Sequence, residues 1–475
     1  MDTLYDFGMI GLGTMGSNLL LNMADHGFKV IGYDKDPAKT RWFESSANKD
    51  TIVKGVNTLQ DMVSQLQKPR KIMMLVPAGK IVDGVIAELT HLVEPGDIII
   101  DGGNSHYVDT LARVTALKEK GLHFMGIGIS GGEQGARLGP SIMPGGDQEA
   151  YSHVEPMLKA VAAKVNDRPC VAYLGNDAAG HYVKMVHNGI EYAIMQLISE
   201  CYDMLKHGCG MNNQELHDVF KQWATGDLQS FLLEITADIF LKKDDKSNND
   251  LIDMIFDRAG AKGTGKWTSQ EGLDLPMPIP TIDAAVMMRN LSGLKEQRLE
   301  ANNLYEKSFS NTGFNRDTFI PQLHDAFFVA TIVAYAQGLA MLSVASITLN
   351  MQVPLTDVVN VWTGGCIIRS IMLPEFSKAF EQKNDLQNLL LDANIAGMIK
   401  PKLHALNQTV LDGFTGGFAP AAFSSVLVYL NAYSRKLLPV NLIQAQRDYF
   451  GAHTYERTDG PGIFHSEWQQ MDILV

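Results

Sequence analysis

Phe7-Gly8-Met9-Ile10-Gly11-Leu12-Gly13-Thr14-Met15-Gly16 decides how this chain starts to fold. Residues 7 to 13 read as an apolar strand running into a glycine turn, and Leu19, Leu20 and Met23 then recur at helical spacing. Gly11, Gly13 and Gly16 fall in a GxGxxG pattern. The first permits a tight turn, the second lets the backbone approach a pyrophosphate, and the third lets helix and strand pack closely. A plain turn uses glycines too, but here the pattern sits between strand and helix. Gly11, Leu12, Gly13, Thr14, Met15 and Gly16 are therefore candidate cofactor residues at the positive end of a helix. The next strand, Lys29–Tyr33, ends at Asp34, 18 residues beyond Gly16. A carboxylate there accepts hydrogen bonds from the ribose of NAD and repels the 2′-phosphate of NADP. Lys35 offsets part of that repulsion, and the residues taken alone favour NAD.

Apolar runs at Lys71–Val76 and Asp97–Asp101 read as buried parallel strands, with His123–Ile129 and Cys170–Leu174 as two more. Helical stretches alternate with them. Residues 1–178 thus read as an α/β, Rossmann-type doubly wound domain. After Gly175-Asn176-Asp177 the 3.6-residue period dominates, so 179–435 read as a large all-α domain. Leu241–Asp250 is a charged solvent loop. Residues 436–475 have little core-forming periodicity and read as a C-terminal tail that packs on something else, such as another subunit.

The chain has 475 residues, enough for two or three domains, and a formal net charge of −13. That charge argues against nucleic acid as a partner. Four cysteines (Cys170, Cys201, Cys209, Cys366) lack CxxC spacing, which argues against a disulfide framework or a thiolate zinc site. Asp2 and Asp6 make the N-terminus unlike a signal peptide. No apolar run reads as the roughly 18 residues of a membrane helix. The expectation is a cytoplasmic enzyme with no membrane partner and no metal.

Ala179–Ile198 reads as one helix with Val183, Val186, Ile190, Ile194 and Leu197 as its core stripe. Lys184, His187, Asn188 and Glu191 share the neighbouring sector. An amine two turns from a carboxylate is a candidate base and acid held about one small substrate apart. A solvated flank with a Lys–Glu pair has the same spacing. Ser130–Arg137 follows a strand and opens with a small-residue turn suited to anions. Asp101-Gly102-Gly103-Asn104-Ser105 ends another strand, where doubly wound sheets place ligands. Arg258–Trp267 is a loop with two lysines, and it follows no strand as a P-loop would. Arg447 and His453 lie in the tail.

Five segments in order resemble the 6-phosphogluconate dehydrogenase family: Ser130–Ala136, Gly139–Gly146, Ala179–Tyr192, Lys262–Thr268 and Gln444–Glu456. The resemblance covers essentially the whole chain. It implies a Rossmann domain, a helical substrate and dimerisation domain, and a tail that enters the partner subunit of a homodimer. It implies oxidative decarboxylation of 6-phosphogluconate to ribulose 5-phosphate in the pentose phosphate pathway, with Lys184 as general base and Glu191 as general acid. By the same resemblance, Asn104, Ser130, Gly131, Gly132, His187 and Asn188 hold the sugar acid. Tyr192, Lys262, Thr264 and Arg289 bind the phosphate, joined by Arg447 and His453 from the other subunit. The implied cofactor is NADP, contacted also at Val76, Pro77, Ala78 and Asn104. The chain departs from the family there: Asp34-Lys35-Asp36 replaces Asn-Arg-Thr or Asn-Arg-Ser, and Val76-Pro77-Ala78 replaces Val-Lys-Ala. Two other readings are a β-hydroxyacid dehydrogenase for a smaller acid and a non-catalytic dinucleotide-binding protein. The phosphate-binding tail counts against the first, and the Lys184–Glu191 pair against the second.

Overall fold

A computed structural model describes residues 4–305 and 313–468. The first part alternates strand and helix. It runs β1 (Phe7–Ile10), α1 (Thr14–Asp25), β2 (Val30–Tyr33), α2 (Pro37–Ser45), β3 (Val53–Val56) and α3 (Leu59–Ser64). Next come β4 (Lys71–Met74), α4 (Lys80–Leu89), β5 (Ile98–Asp101), α5 (Tyr107–Lys118) and β6 (His123–Ser130). Then follow α6 (Gly132–Leu138), β7 (Ser141–Gly146) and α7 (Gln148–Val161), with a two-residue hairpin of β8 (Lys164–Val165) and β9 (Arg168–Pro169). The sheet order is β3-β2-β1-β4-β5-β6-β7. β1 to β6 pair in parallel, and β7 pairs antiparallel to β6. The order reverses between β1 and β4, which opens the crevice where such sheets bind ligands.

Strand side chains alternate between two cores. Ile98, Ile100 and Met73 join one apolar cluster, while Ile99, Ile72 and Met74 join the other. Both faces are covered, so these strands read as continuous apolar runs. One expected strand is absent. Cys170–Leu174 is not a strand; Val171 alone bridges Ile142. The last full strand is instead Ser141–Gly146, whose Pro144 and paired glycines hide it from β propensity. Pro144 is tolerated because β7 is an edge strand. β3 also went unread, since Val53-Lys54-Gly55-Val56 is short and carries a lysine and a glycine.

The helices continue with α8 (Ala179–Asp203), α9 (Asn213–Trp223), α10 (Phe231–Leu241), α11 (Leu251–Met254), α12 (Thr264–Asp274), α13 (Pro280–Ser292) and α14 (Lys295–Tyr305). They end with α15 (Arg316–Thr348), α16 (Leu355–Val361), α17 (Leu373–Gln382), α18 (Ala393–Ile399), α19 (Leu403–Thr415), α20 (Ala421–Tyr433) and α21 (Asn441–Gly451). α15 corrects the expectation about membranes. It is 33 residues long and apolar enough to cross a bilayer, yet 89 % of its most apolar window is buried inside the protein. It is the central core helix, and α8 and α19 pack on it.

α8 is the element that positions the site. It buries 18 of its 25 residues, not one stripe, because β6 and β7 cover one side and α12, α13 and α15 the others. Glycines allow the approach. A Cβ on Gly180 would lie 2.2 Å from Gly126 O and 2.4 Å from Met143 O, and one on Gly128 2.4 Å from Lys184 Cβ. Helix and strand backbones are thus in direct contact, which draws Lys184 against β6.

Among the described residues, those up to Val426 form one compact unit and those from Leu427 onward a second. In the second, the buried Asp448 carboxylate accepts hydrogen bonds from Thr454 N, Ser466 N, Trp468 Nε1 and His465 Nδ1 at 2.8–3.1 Å. Those donors hold its pKa far below the usual carboxylate range against the opposing effect of desolvation. They fold α21 onto the hairpin of β10 (Tyr455–Glu456) and β11 (Ile463–Phe464).

Candidate active site

The cofactor turn has the geometry its glycines suggest. Gly11 adopts φ +92°, and a Cβ there would lie 2.5 Å from Leu75 O. A Cβ on Gly16 would lie 1.9 Å from Gly11 O. Gly13 faces open space and caps α1, with no side chain bonded to the helix N-terminus. That combination fits a pyrophosphate: a positive helix end, no competing cap and room above the turn. Thr14 and Met15 open the helix, and Ser17 Oγ donates to Leu12 O at 2.7 Å. Asp34 faces this turn. Its Oδ2 accepts from Leu12 N at 2.8 Å and lies 3.6 Å from Lys39 Nζ, while Oδ1 accepts from Asp36 N at 2.9 Å. Asp36 caps α2 through Ala38 N, and Lys35 is exposed. Val76, Pro77 and Ala78 follow β4 beside Gly11, and Asn104 stands exposed after β5.

Lys184, His187, Asn188 and Glu191 project from α8 into a second cluster. His187 is fully buried. Its Nδ1 lies 3.1 Å from Asn188 Oδ1, which can only accept, so Nδ1 carries the proton, and its Nε2 lies 3.4 Å from the Ser130 hydroxyl. Asn188 Nδ2 donates to Thr264 Oγ1 at 3.1 Å. Glu191 Oε2 lies 3.9 Å from His187 Nδ1. Gly131 (φ +122°) and Gly132 (φ +64°) take conformations that L side chains avoid, and a Cβ on Gly131 would lie 2.6 Å from Gly365 O. Gly189 admits α12: a Cβ there would lie 2.7 Å from Thr268 Cγ2, and Thr268 Oγ1 donates to Met185 O.

Burial sets the charge states in opposite directions. It pushes the Lys184 ammonium down, with Glu191 and Cys366 opposing. It pushes the Glu191 carboxyl up, with Lys184 and Arg289 opposing. It drives His187 well below its usual value, helped by Lys184, so the ring is neutral. An amine and a carboxyl group are thus tuned towards each other on one helix face.

Tyr192 and Arg289 meet one turn further on, the guanidinium carbon 3.5 Å from the ring centroid. Arg289 also donates to Gly260 O at 2.9 Å. Lys262 is exposed on the loop before α12. Arg447 and His453 are exposed in the second compact unit.

Residues 6–175 match the model for the NAD binding domain of 6-phosphogluconate dehydrogenase, and residues 180–468 match that for its C-terminal domain. The chain belongs to the 6-phosphogluconate dehydrogenase family. It is 47 % identical to a Bacillus subtilis protein named 6-phosphogluconate dehydrogenase, NADP(+)-dependent, decarboxylating, over 98 % of this chain and 99 % of that one. It is 48 % identical to a decarboxylating 6-phosphogluconate dehydrogenase from Synechocystis, over 97 % of each. A solved Plasmodium falciparum 6-phosphogluconate dehydrogenase, described in apo form and in complexes with NADP+ and 6-phosphogluconate, superposes with a TM-score of 0.94. Its identity is 43 %, over 98 % of this chain and 100 % of that one.

Within this family member, several site neighbours escape a reading of motifs. Trp362 packs edge-on to His187 at 5.7 Å, and Cys366 faces Lys184 electrostatically. Both come from the segment after α16, far away in sequence. Glu271 is buried in α12 and accepts from Tyr107 Oη at 2.7 Å and Tyr182 Oη at 3.4 Å, tying α5, α8 and α12 together. Lys39 reaches Asp34 from α2; a lysine five residues after the acidic strand end was the signal available.

Proposed function

We propose that this chain oxidises and decarboxylates 6-phosphogluconate to ribulose 5-phosphate and CO2. The observation that carries the reading is the opposed tuning of Lys184 and Glu191 on α8, beside the Ser130-Gly131-Gly132 turn. When bound, the nicotinamide ring accepts a hydride from C3 of the sugar acid. Neutral Lys184 takes the C3 hydroxyl proton as that hydride leaves, so a C3 carbonyl forms. The resulting β-keto acid loses its carboxylate as CO2, and the bond electrons flow to the C3 oxygen, which Lys184, now an ammonium, protonates. Glu191 then protonates C1 of the enediol while Lys184, neutral again, takes back the proton of the neighbouring hydroxyl, so that the ketone of ribulose 5-phosphate forms. Neutral His187, with Ser130 and Asn188, orients hydroxyls and carboxylate without adding charge, and Asn104 joins them from β5. Tyr192, Lys262, Thr264 and Arg289 receive the phosphate, for which the guanidinium fork offers paired donors.

The residues of the β1 turn would hold the pyrophosphate, with Val76, Pro77, Ala78 and Asn104 nearer the reacting end. Two of the similar proteins are described with NADP, and this crevice accepts it. Asp34 makes NAD the better cofactor, because its carboxylate already engages the turn and repels a 2′-phosphate. Initial rates with 6-phosphogluconate at matched NAD and NADP, followed at 340 nm, are expected to give the higher kcat/KM with NAD. A strong preference for NADP would mean that Lys35 and Lys39 outweigh Asp34.

Functionally we divide the chain into 1–178, 179–435 and 436–475. The tail completes the phosphate site of a second copy with Arg447 and His453, making a homodimer. The exposed Leu437, Leu442, Ile443 and Phe450 of this segment suit such burial. A monomer in sedimentation at working enzyme concentrations would remove the exchange. The reading fits a cytoplasmic enzyme of the pentose phosphate pathway.

A further inference from the structure

Three turns lie shoulder to shoulder at the carboxyl ends of β1, β4 and β5. A Cβ on Gly11 would lie 3.0 Å from Val76 Cγ1, and one on Gly103 would lie 3.3 Å from Val76 O. The β4 turn borders the cofactor crevice and the β5 turn carries Asn104. A single buried side chain from α5 grips the latter two. Arg113 Nε donates to Asp83 Oδ1 at 2.8 Å and Nη2 to Gly79 O at 3.2 Å, which fixes the turn after β4 to the start of α4. Its Nη1 lies 3.3 Å from Asp101 Oδ2 and 3.4 Å from Ser105 Oγ. Asp101 is fully buried and also faces the buried His181 of α8. Its Oδ1 accepts from Gly103 N at 3.0 Å and its Oδ2 from Ser105 Oγ at 2.6 Å.

This arrangement is costly unless it is complete. A buried carboxylate and guanidinium are tolerated only when each is paired and hydrogen-bonded. Two Arg113 legs, to Asp101 and Ser105, are buried, whereas the Asp83 side chain is 58 % exposed. The polar hub adds a fixed register between two turns that, among the described residues, no backbone hydrogen bond joins to each other beyond β4–β5 pairing and Gly102 N to Met74 O. Arginine suits this, because its rigid planar fork holds its donors at fixed, separated positions, whereas a lysine ammonium is a single compact point on a flexible stem.

We propose that Arg113 is a positioning residue for hydride transfer, locking the Val76–Gly79 turn and the Gly102–Ser105 turn in one register so that cofactor and sugar acid meet at reacting distance. This rests on the dehydrogenase reading above. Lysine at 113 keeps the charge but loses the fork, so it separates positioning from charge.

The test measures steady-state rates, the primary deuterium isotope effect with 6-phosphogluconate labelled at C3, and thermal midpoints. It compares the full-length wild type with Arg113→Lys and Asp83→Ala. A misplacement of the reacting groups by a fraction of an ångström is expected to lower kcat of Arg113→Lys about 30-fold. Its isotope effect should rise as hydride transfer becomes rate-limiting, while KM for 6-phosphogluconate changes little. Asp83→Ala removes one exposed leg and should keep the wild-type thermal midpoint, with kcat lower by about threefold by the same argument. That second variant answers even if Arg113→Lys does not fold. The proposal is overturned if both variants keep the wild-type isotope effect and kcat, or if Asp83→Ala does so while Arg113→Lys only loses thermal stability. A wild type that reduces neither cofactor would overturn the activity reading instead.

Discussion

Lys184→Met is expected to lower kcat by about 10⁴-fold, the upper range for loss of a positioned general base. Methionine fills a similar volume, so α8 should keep its seat on β6 where Gly128 makes room. Cofactor affinity, read by quenching of NADPH or NADH fluorescence titrations, should stay close to wild type, since the β1 turn is untouched. Near-normal kcat would remove Lys184 as the base. The pH profile carries the same claim. Lys184 must be neutral to accept the proton, so activity rises with pH through its pKa. Burial lowers that pKa from its usual value, which moves this limb of kcat/KM from strongly alkaline pH towards neutrality. Glu191 must be protonated to donate, so activity falls with pH through its pKa, and burial moves that limb upward. The two groups oppose each other's shifts, so the bell reports the pair and not either residue singly.

Glu191→Gln is expected to lower kcat by about 10²-fold, because the amide keeps the shape but cannot donate a proton to carbon. Hydride transfer precedes that step. The variant should therefore still show C3 oxidation, with exchange of solvent tritium into C1 of ribulose 5-phosphate sharply reduced. Unchanged exchange would take Glu191 out of the reaction. Stability should be little affected, since glutamine keeps the side chain's shape and its approach to His187 is 3.9 Å, longer than a hydrogen bond.

Much of this was legible in the sequence where one local rule governs one element. The β1 strand, its glycine turn and α1 follow from apolar run, Gly spacing and helical period, and Asp34 stands where the sheet puts it. Lys184, His187, Asn188 and Glu191 share a face because helical geometry leaves no choice. What escaped the sequence is set by packing. The sequence of α8 shows one apolar stripe beside a polar sector, yet Lys184 and His187 in that sector are buried, because glycines on β6 and β7 let the helix sink onto strand backbone. β7 was missed because an edge position tolerates its proline and glycines. The charge-free stretch 326–348 of α15 is long and apolar enough for a membrane helix, and only its burial under packed neighbours marks it as a core helix. Trp362, Cys366 and Glu271 reach the site only through tertiary folding, and no spacing along the chain announces them.

The stoichiometry of CO2 release tests the central claim most directly. The wild type would be given 6-phosphogluconate labelled at C1, with reduced cofactor read at 340 nm and labelled CO2 trapped. One CO2 for each reduced cofactor is the expected result. Cofactor reduction without CO2 would make the chain a simple hydroxyacid dehydrogenase, and neither product would contradict the assignment of this site altogether.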